Sequence, residues 1–192
     1  MKSQDITTGF QTVDKAQSDF LVNFLADANQ IPSVQDCLKD QLNWLNIQQG
    51  NYILDIGCGI GDQAFEMAKK VGASGKVIGT DLSETMIKIS KSRHAASGLS
   101  LTFQTANATE QPFENELFDI VRTERVLMYV NDLNKAFTEF IRLLKPGGKL
   151  LVFDFDWDAL TISHIDKDLT RKIVEFISDS FPSGRVGAEL LD

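Results

Sequence analysis

Apolar residues recur along this chain with two alternating periods, and the switches between them lay out its elements. Within residues 13–28, Phe20, Leu21, Phe24, Leu25 and Ala28 fall at helical intervals. After Pro32, with Ser33 as the expected cap, Val34, Cys37, Leu38, Leu42 and Leu45 share one face of a second helix. An apolar strand pattern at Tyr52, Ile53, Leu54 and Ile56 then runs into Gly57, Gly59 and Gly61, and the helical spacing of Ala64, Ala68 and Val71 begins directly after them. A second strand, Lys76 to Thr80, ends at Asp81. Ser83 and Glu84 open a helix carrying Met86, Ile87 and Ile89, which Gly98 ends before the strand Leu101-Thr102-Phe103. That third strand is expected to reach Ala106-Asn107-Ala108, and a loop with Pro112 and Phe113 leads to a fourth strand over Leu117 to Val121. Asn131 and Asp132 cap a helix with Leu133, Ala136, Phe137, Phe140, Ile141 and Leu144 on one face. Pro146-Gly147-Gly148 turns into a fifth strand, Lys149 to Asp154, and a last amphipathic helix holds Leu169, Ile173, Phe176 and Ile177.

Strands that alternate with helices predict an α/β fold, a doubly wound, mainly parallel sheet with helices on both faces. Two helices precede the first strand without a linker-like tract. They are expected to add a helical layer over residues 1–48, either as plain cover for the core or as a lid over a pocket, ahead of a main unit over residues 49–192.

The glycine stretch carries the first chemical signal. Three alternating glycines let the backbone turn sharply and let a ligand approach the main chain, while the helix that starts near Asp62 offers free N–H groups to an anion. A dinucleotide loop needs G-x-G-x-x-G, and Asp62 occupies the position of its last glycine, where a carboxylate faces a pyrophosphate badly. No G-x-x-x-x-G-K-[ST] occurs either, which excludes a P-loop. An adenosine that carries an amino acid fits better, because its single carboxylate can use the helix N-terminus. Asp81, a lone carboxylate after the second strand, stands where a ribose is read in a βαβ unit.

Composition narrows the partners. The 192 residues hold 19 Lys and Arg against 27 Asp and Glu, a formal charge of -8, which argues against a general electrostatic grip on nucleic acid or anionic lipid. Cys37 and Cys58 lie in unrelated segments without metal-ligand spacing, so neither a disulfide framework nor a metal site is expected, and a reducing cytoplasm is the expected setting. The polar start of the chain is unlike a signal peptide, and no apolar run approaches the roughly 20 residues that span a bilayer.

Leu54-Asp55-Ile56-Gly57-Cys58-Gly59-Ile60-Gly61, followed by Thr80-Asp81-Leu82-Ser83, resembles the class I S-adenosylmethionine-dependent methyltransferases of the ubiquinone/menaquinone-biosynthesis-like group. The resemblance continues through Pro112-Phe113, Phe118-Asp119 and Arg142-Leu143-Leu144-Lys145-Pro146-Gly147-Gly148, over roughly residues 31–155. It implies a Rossmann-like fold with S-adenosyl-L-methionine as cofactor and S-adenosyl-L-homocysteine as product. Gly57, Gly59 and Gly61 would shape the loop around the methionine moiety, with Asp55 supporting it or the amino group. Asp81 would accept from both ribose hydroxyls, and Leu82 and Met86 would pack near the adenine. Asn107 stands where the family usually has Asp, accepting from the adenine amino group; Ala108 and Glu124 complete the implied cofactor set.

Methyl transfer from a sulfonium is an in-line displacement that asks mainly for alignment and exclusion of water, and a base only for an acceptor that holds its proton at neutral pH. His94 is expected as plain surface. His164, after the fifth strand, is a candidate catalytic residue. Arg125 either forms an exposed pair with Glu124 or orients an acidic or carbonyl-bearing acceptor. Asp154, Asp156, Trp157 and Asp158 either line the acceptor side or form a solvated loop with Trp157 packed as core. The expected function is methylation of a small organic molecule, the alternatives being a non-catalytic S-adenosylmethionine-binding or regulatory protein and a dehydrogenase of the same architecture. The last two strands of the family fold are not apparent in the pattern after Asp154. The chain is therefore expected to be C-terminally incomplete, with a sheet edge open to homodimer formation.

Overall fold

A computed structural model describes residue 14 and residues 18–190, with side chains at residue 14 and from residue 21 onward. In chain order the elements are α1 (Ser18–Ala28), α2 (Pro32–Leu45), β1 (Tyr52–Ile56), α3 (Asp62–Val71), β2 (Lys76–Asp81), α4 (Glu84–His94), β3 (Leu101–Thr105), β4 (Phe118–Glu124), α5 (Leu133–Leu143), β5 (Leu144–Phe153), α6 (Lys167–Asp179) and α7 (Val186–Glu189). Short 3-10 turns lie at Leu127–Tyr129 and Trp157–Ala159. The five strands form one sheet in the order β3-β2-β1-β4-β5, and every pairing is parallel. Chain order therefore reverses between β1 and β4, which opens a crevice at their carboxyl ends.

Period-two alternation sorts the strand side chains onto two faces. Leu54, Ile56, Ile78 and Val121 join Ala136, Phe140 and Leu143 of α5, together with Phe181 and Val186, in one buried cluster. Ile53, Val77, Ile120 and Phe103 point the other way and meet Ala64, Met67, Ala68 and Val71 of α3, Ile87 of α4, and Leu42 and Leu45 of α2. The second N-terminal helix is thus built into the main core. A smaller cluster of Leu21, Ile60 and Met86 joins α1 to the glycine loop and to α4.

The elements depart locally from the expected boundaries. Helix α1 begins at Ser18; the earlier part of the predicted helix lies outside the described residues except for Asp14. Ile31 is the N-cap residue of α2, with Pro32 at the first turn, so Ser33 lies inside the helix. Proline supplies a helical φ and lacks the N–H that a cap would have to satisfy. Strand β3 ends at Thr105, because Asn107 turns the chain instead of extending it. At Pro146-Gly147-Gly148 the β4–β5 register shifts between Phe118 and Ile120, so the expected turn is an irregularity inside β5.

Candidate functional site

The glycine loop sits at the carboxyl end of β1, beside the crevice. Gly57 and Cys58 donate their N–H groups to the Thr80 carbonyl at 2.7 and 2.8 Å, and Gly61 closes the loop on the Cys58 carbonyl at 2.9 Å. Gly57 has φ +72, and a Cβ placed there would overlap the Val126 side chain. Both the left-handed backbone and the space exclude larger residues. Gly59 also has positive φ, and the nearest atom to a Cβ at that position would be Leu25 Cδ1 of α1 at 3.5 Å, so the first helix lies over the loop.

Asp81 fastens this loop to β2. Its Oδ2 accepts from the Gly59 N–H at 2.9 Å, and its Oδ1 from the Ser83 N–H at 2.9 Å. Burial pushes its carboxyl upward, against the lowering effect of those two donors. Each oxygen still holds a free lone pair, which is the acceptor pair that two neighbouring ribose hydroxyls need. The acceptor pair therefore fits the ribose of S-adenosylmethionine. Ser83 itself caps α4 by accepting from the Met86 N–H, which leaves Asp81 free of the capping role.

Below Gly57, Asp55 is almost fully buried and faces Arg122 across the β1–β4 register. Arg122 Nη1 donates to Asp55 Oδ1 at 2.8 Å, while Nη2 donates to Gln41 Oε1 at 2.9 Å and also pairs with Glu124. Arg125, at φ +55, carries its Nε to Glu124 Oε1 at 3.0 Å and its Nη2 to Asn29 Oδ1 at 3.1 Å. The Glu124 side chain is 7% exposed and that of Arg125 21%, so the pair is part-buried and the exposed-pair alternative is corrected. Removing one partner from a pair as buried as Arg122–Asp55 typically costs about 3–5 kcal/mol, because the other charge is stranded.

Several expected residues have other employment. Asn107 Oδ1 accepts from both the N–H and the hydroxyl of Thr109, at 3.0 and 3.1 Å, so the expected acceptor for an adenine amino group is committed to a turn. Met86 is buried against Leu21 and Ile60, as a floor below the loop, whereas Leu82 is exposed beside Asp81. Ala108 packs on the α5-side core. Asp154 accepts from the N–H groups of Val126 and Leu127 at 2.9 and 2.7 Å, which fixes the segment after β4. Trp157 stacks on Phe181 with ring centroids 5.3 Å apart and donates to Met128 Sδ, so it is partly buried against the core.

His164 is exposed, and its Nδ1 accepts from the Asp166 N–H at 3.1 Å. Among the described residues no hydrogen bond or ion pair joins it to the loop or to Arg125. His94 is a correction of the surface expectation: its ring stacks on Phe65 at 4.7 Å, its Nε2 is buried, and burial pushes it below its ordinary pKa. Burial, with Asp55 and Asp81 nearby, drives the Cys58 thiol well upward, which keeps it protonated and unreactive. Among the described residues no cluster of His, Cys, Asp and Glu is suited to a metal, and no helix is long and apolar enough to cross a membrane.

Asp14, Asn29, Gln41 and Arg122 escaped the sequence reading. A cross-strand register, which pairing alone decides, makes Arg122 the partner of Asp55, and no spacing in the sequence announces it.

Comparison with known proteins bears on these features. The family described as "Methyltransferase domain" matches residues 47–182. The ubiquinone/menaquinone biosynthesis C-methyltransferase UbiE of Escherichia coli is 31% identical over 170 residues, covering 80% of this chain and 67% of the relative. Phosphoethanolamine N-methyltransferase 1 of Zea mays is 34% identical over 117 residues, or 61% of this chain and 23% of that protein. The solved structure of Haemonchus contortus phosphoethanolamine N-methyltransferase 2 in complex with S-adenosyl-L-methionine superposes with a TM-score of 0.68 at 25% identity, over 89% of this chain and 43% of that one. The chain thus spans less than half the length of two of these three relatives.

Proposed function

The chain belongs to the class I S-adenosylmethionine-dependent methyltransferases, in the UbiE-like group, and from that membership we propose that it is an enzyme that methylates a small organic molecule. The observation that carries the proposal is the join between Asp81 and the Gly59 N–H, which makes the glycine loop and the ribose-reading carboxylate one unit at the crevice. When bound, S-adenosylmethionine supplies a sulfonium-borne methyl group and a neutral thioether leaving group.

The protein's own residues have three tasks under this reading. Asp81 receives the ribose hydroxyls, and Leu82 offers apolar surface to the base, with the side-chain amide of Asn107 left to donate to a ring nitrogen. Gly57, Gly59 and Gly61 keep the main chain open to the amino-acid part, and Asp55 and Glu124 give that end the negative potential an ammonium needs. Leu25 and the rest of α1 cover the loop and exclude water, which is the support for a lid role of residues 1–48. Arg125 is the proposed guide for an acidic or carbonyl-bearing acceptor, with the donors that Glu124 and Asn29 leave unused. His164 is retained as a base only for an acceptor that must lose a proton, since Nδ1 already serves the Asp166 N–H. The relatives act on carbon in one case and on nitrogen in the other by their names, so the acceptor atom is left open. The proposed setting is the cytoplasm, and β5, which ends the sheet among the described residues, is the proposed edge for a homodimer.

Calorimetry with S-adenosylmethionine tests the reading. The wild-type chain binds saturably, and Asp81→Ala loses at least roughly tenfold in affinity through its missing acceptors. Full-strength binding by that variant removes the assignment. Tight binding without turnover across a panel of small acceptors replaces the enzyme with a binding or regulatory protein, and saturable NAD binding that S-adenosylmethionine does not compete brings back a dehydrogenase.

A further inference from the structure

Arg122 lies on the strand face that, through Ile120, points at α2 and α3, and its side chain is buried to 3% exposure. Such a face gains most from an apolar side chain, because taking a charge out of water costs several kcal/mol unless partners surround it. Here the partners are two carboxylates and an amide: Asp55 of β1, Glu124 of β4, and the fully buried Gln41 of α2. Glu124 passes the connection on to Arg125, which reaches Asn29 just past the end of α1. Two guanidiniums therefore tie the residues below the glycine loop to the N-terminal helices, Arg122 to α2 and Arg125 to the end of α1.

We infer that Arg122, assisted by Gln41, is a positioning residue for the methyl donor: it orients Asp55 and Glu124 below the glycine loop and locks α2 into the same hydrogen-bonded unit. The inference rests on the methyltransferase reading and deepens it. With Arg125 the junction balances, two carboxylates against two guanidiniums, so what Arg122 supplies toward a ligand is the orientation of the carboxylates. Burial raises the Asp55 carboxyl and the Arg122 charge opposes that rise. Burial likewise works against the charge on Arg122, but Asp55 and Glu124 outweigh it and hold the guanidinium above its ordinary value. The remaining titratable groups near Asp55 are the Cys58 thiol and the Asp81 carboxylate, and α2 presents the uncharged Gln41.

Removing the guanidinium leaves Asp55 without its ion-pair partner while Glu124 keeps Arg125, so Asp55 takes up a proton at higher pH than before. In Arg122→Gln the affinity for S-adenosylmethionine, measured by calorimetry, falls at least about tenfold. It also weakens further as pH drops from about 7 to about 5.5, where the wild type stays level. Arg122→Lys restores the positive charge and with it a level pH profile. Gln41→Leu keeps the charges, weakens binding roughly threefold to tenfold, and leaves the profile level. Circular dichroism establishes that each variant is folded. Arg122→Gln binding within twofold of wild type, with an unchanged pH profile, overturns the inference. If Arg122→Gln fails to fold, the decision passes to Gln41→Leu, and wild-type affinity in that variant overturns the inference equally. A wild-type chain that does not bind S-adenosylmethionine defeats the methyltransferase reading itself, whereas wild-type binding with indifferent variants defeats only this one.

Discussion

At Gly57 two constraints coincide, a left-handed backbone and the Val126 side chain pressed against the missing Cβ. Gly57→Ala is expected to destabilise the chain by roughly 1–3 kcal/mol, the usual cost of holding a side chain in a sparsely populated region. Urea denaturation reads that loss, and calorimetry should show weaker donor binding. Adding Val126→Ala relieves the overlap but not the backbone, so the double variant recovers part of the loss; complete recovery would mean that the overlap alone forbids a side chain. Asp55 illustrates the opposite case. Its place in the motif was legible, but its partner was not, because Arg122 is 67 residues away and meets it only through strand register.

At the scale of an element, α4 shows how a helix start is secured twice. Its first turn leaves N–H groups without helical partners, and Ser83 takes one of them, from Met86. Asp14, from far upstream, takes the N–H groups of Glu84 and Thr85 at 3.0 and 2.9 Å and the Ser83 hydroxyl at 2.7 Å. Burial works to raise the Asp14 carboxyl, but those hydrogen bonds prevail and hold it at about 2, below its ordinary value of 3.8. A depressed carboxylate stabilises the folded state above its unfolded pKa, and that stabilisation disappears as pH falls from about 3.8 through about 2. Asp14→Ala should cost about 1 kcal/mol at pH 7, as the loss of a capping group does. Melting curves should separate wild type from variant at neutral pH and bring them together near pH 2. A gap that persists there would assign the effect to something other than the ionised cap.

For the whole molecule the main question is whether the N-terminal helices fold with the sheet or apart from it. Leu45 of α2 is buried in the cluster that holds Ile53, Met67 and Ile120, and Lys149 of β5 donates to the Leu45 carbonyl at 2.8 Å. Leu45→Ala is therefore expected to cost about 2–5 kcal/mol, the range for emptying a leucine site in a core, and denaturant unfolding should remain one transition seen alike by far-UV and tryptophan signals. Two separated transitions would make residues 1–48 an independent unit. The sequence by itself determined the alternation of strand and helix, the glycine loop with Asp81 after the next strand, and hence the family and its methyl donor, because periodicity and short motifs are local properties of the chain. Only the tertiary structure decided that α2 is a core layer, that Asp81 braces Gly59, that Trp157 and Asp154 serve packing, and that Arg122 gathers Asp55, Glu124 and Gln41. Those relations join residues distant in sequence, and they exist only once parallel pairing has fixed which side chains stand opposite one another and which face of the sheet each helix covers.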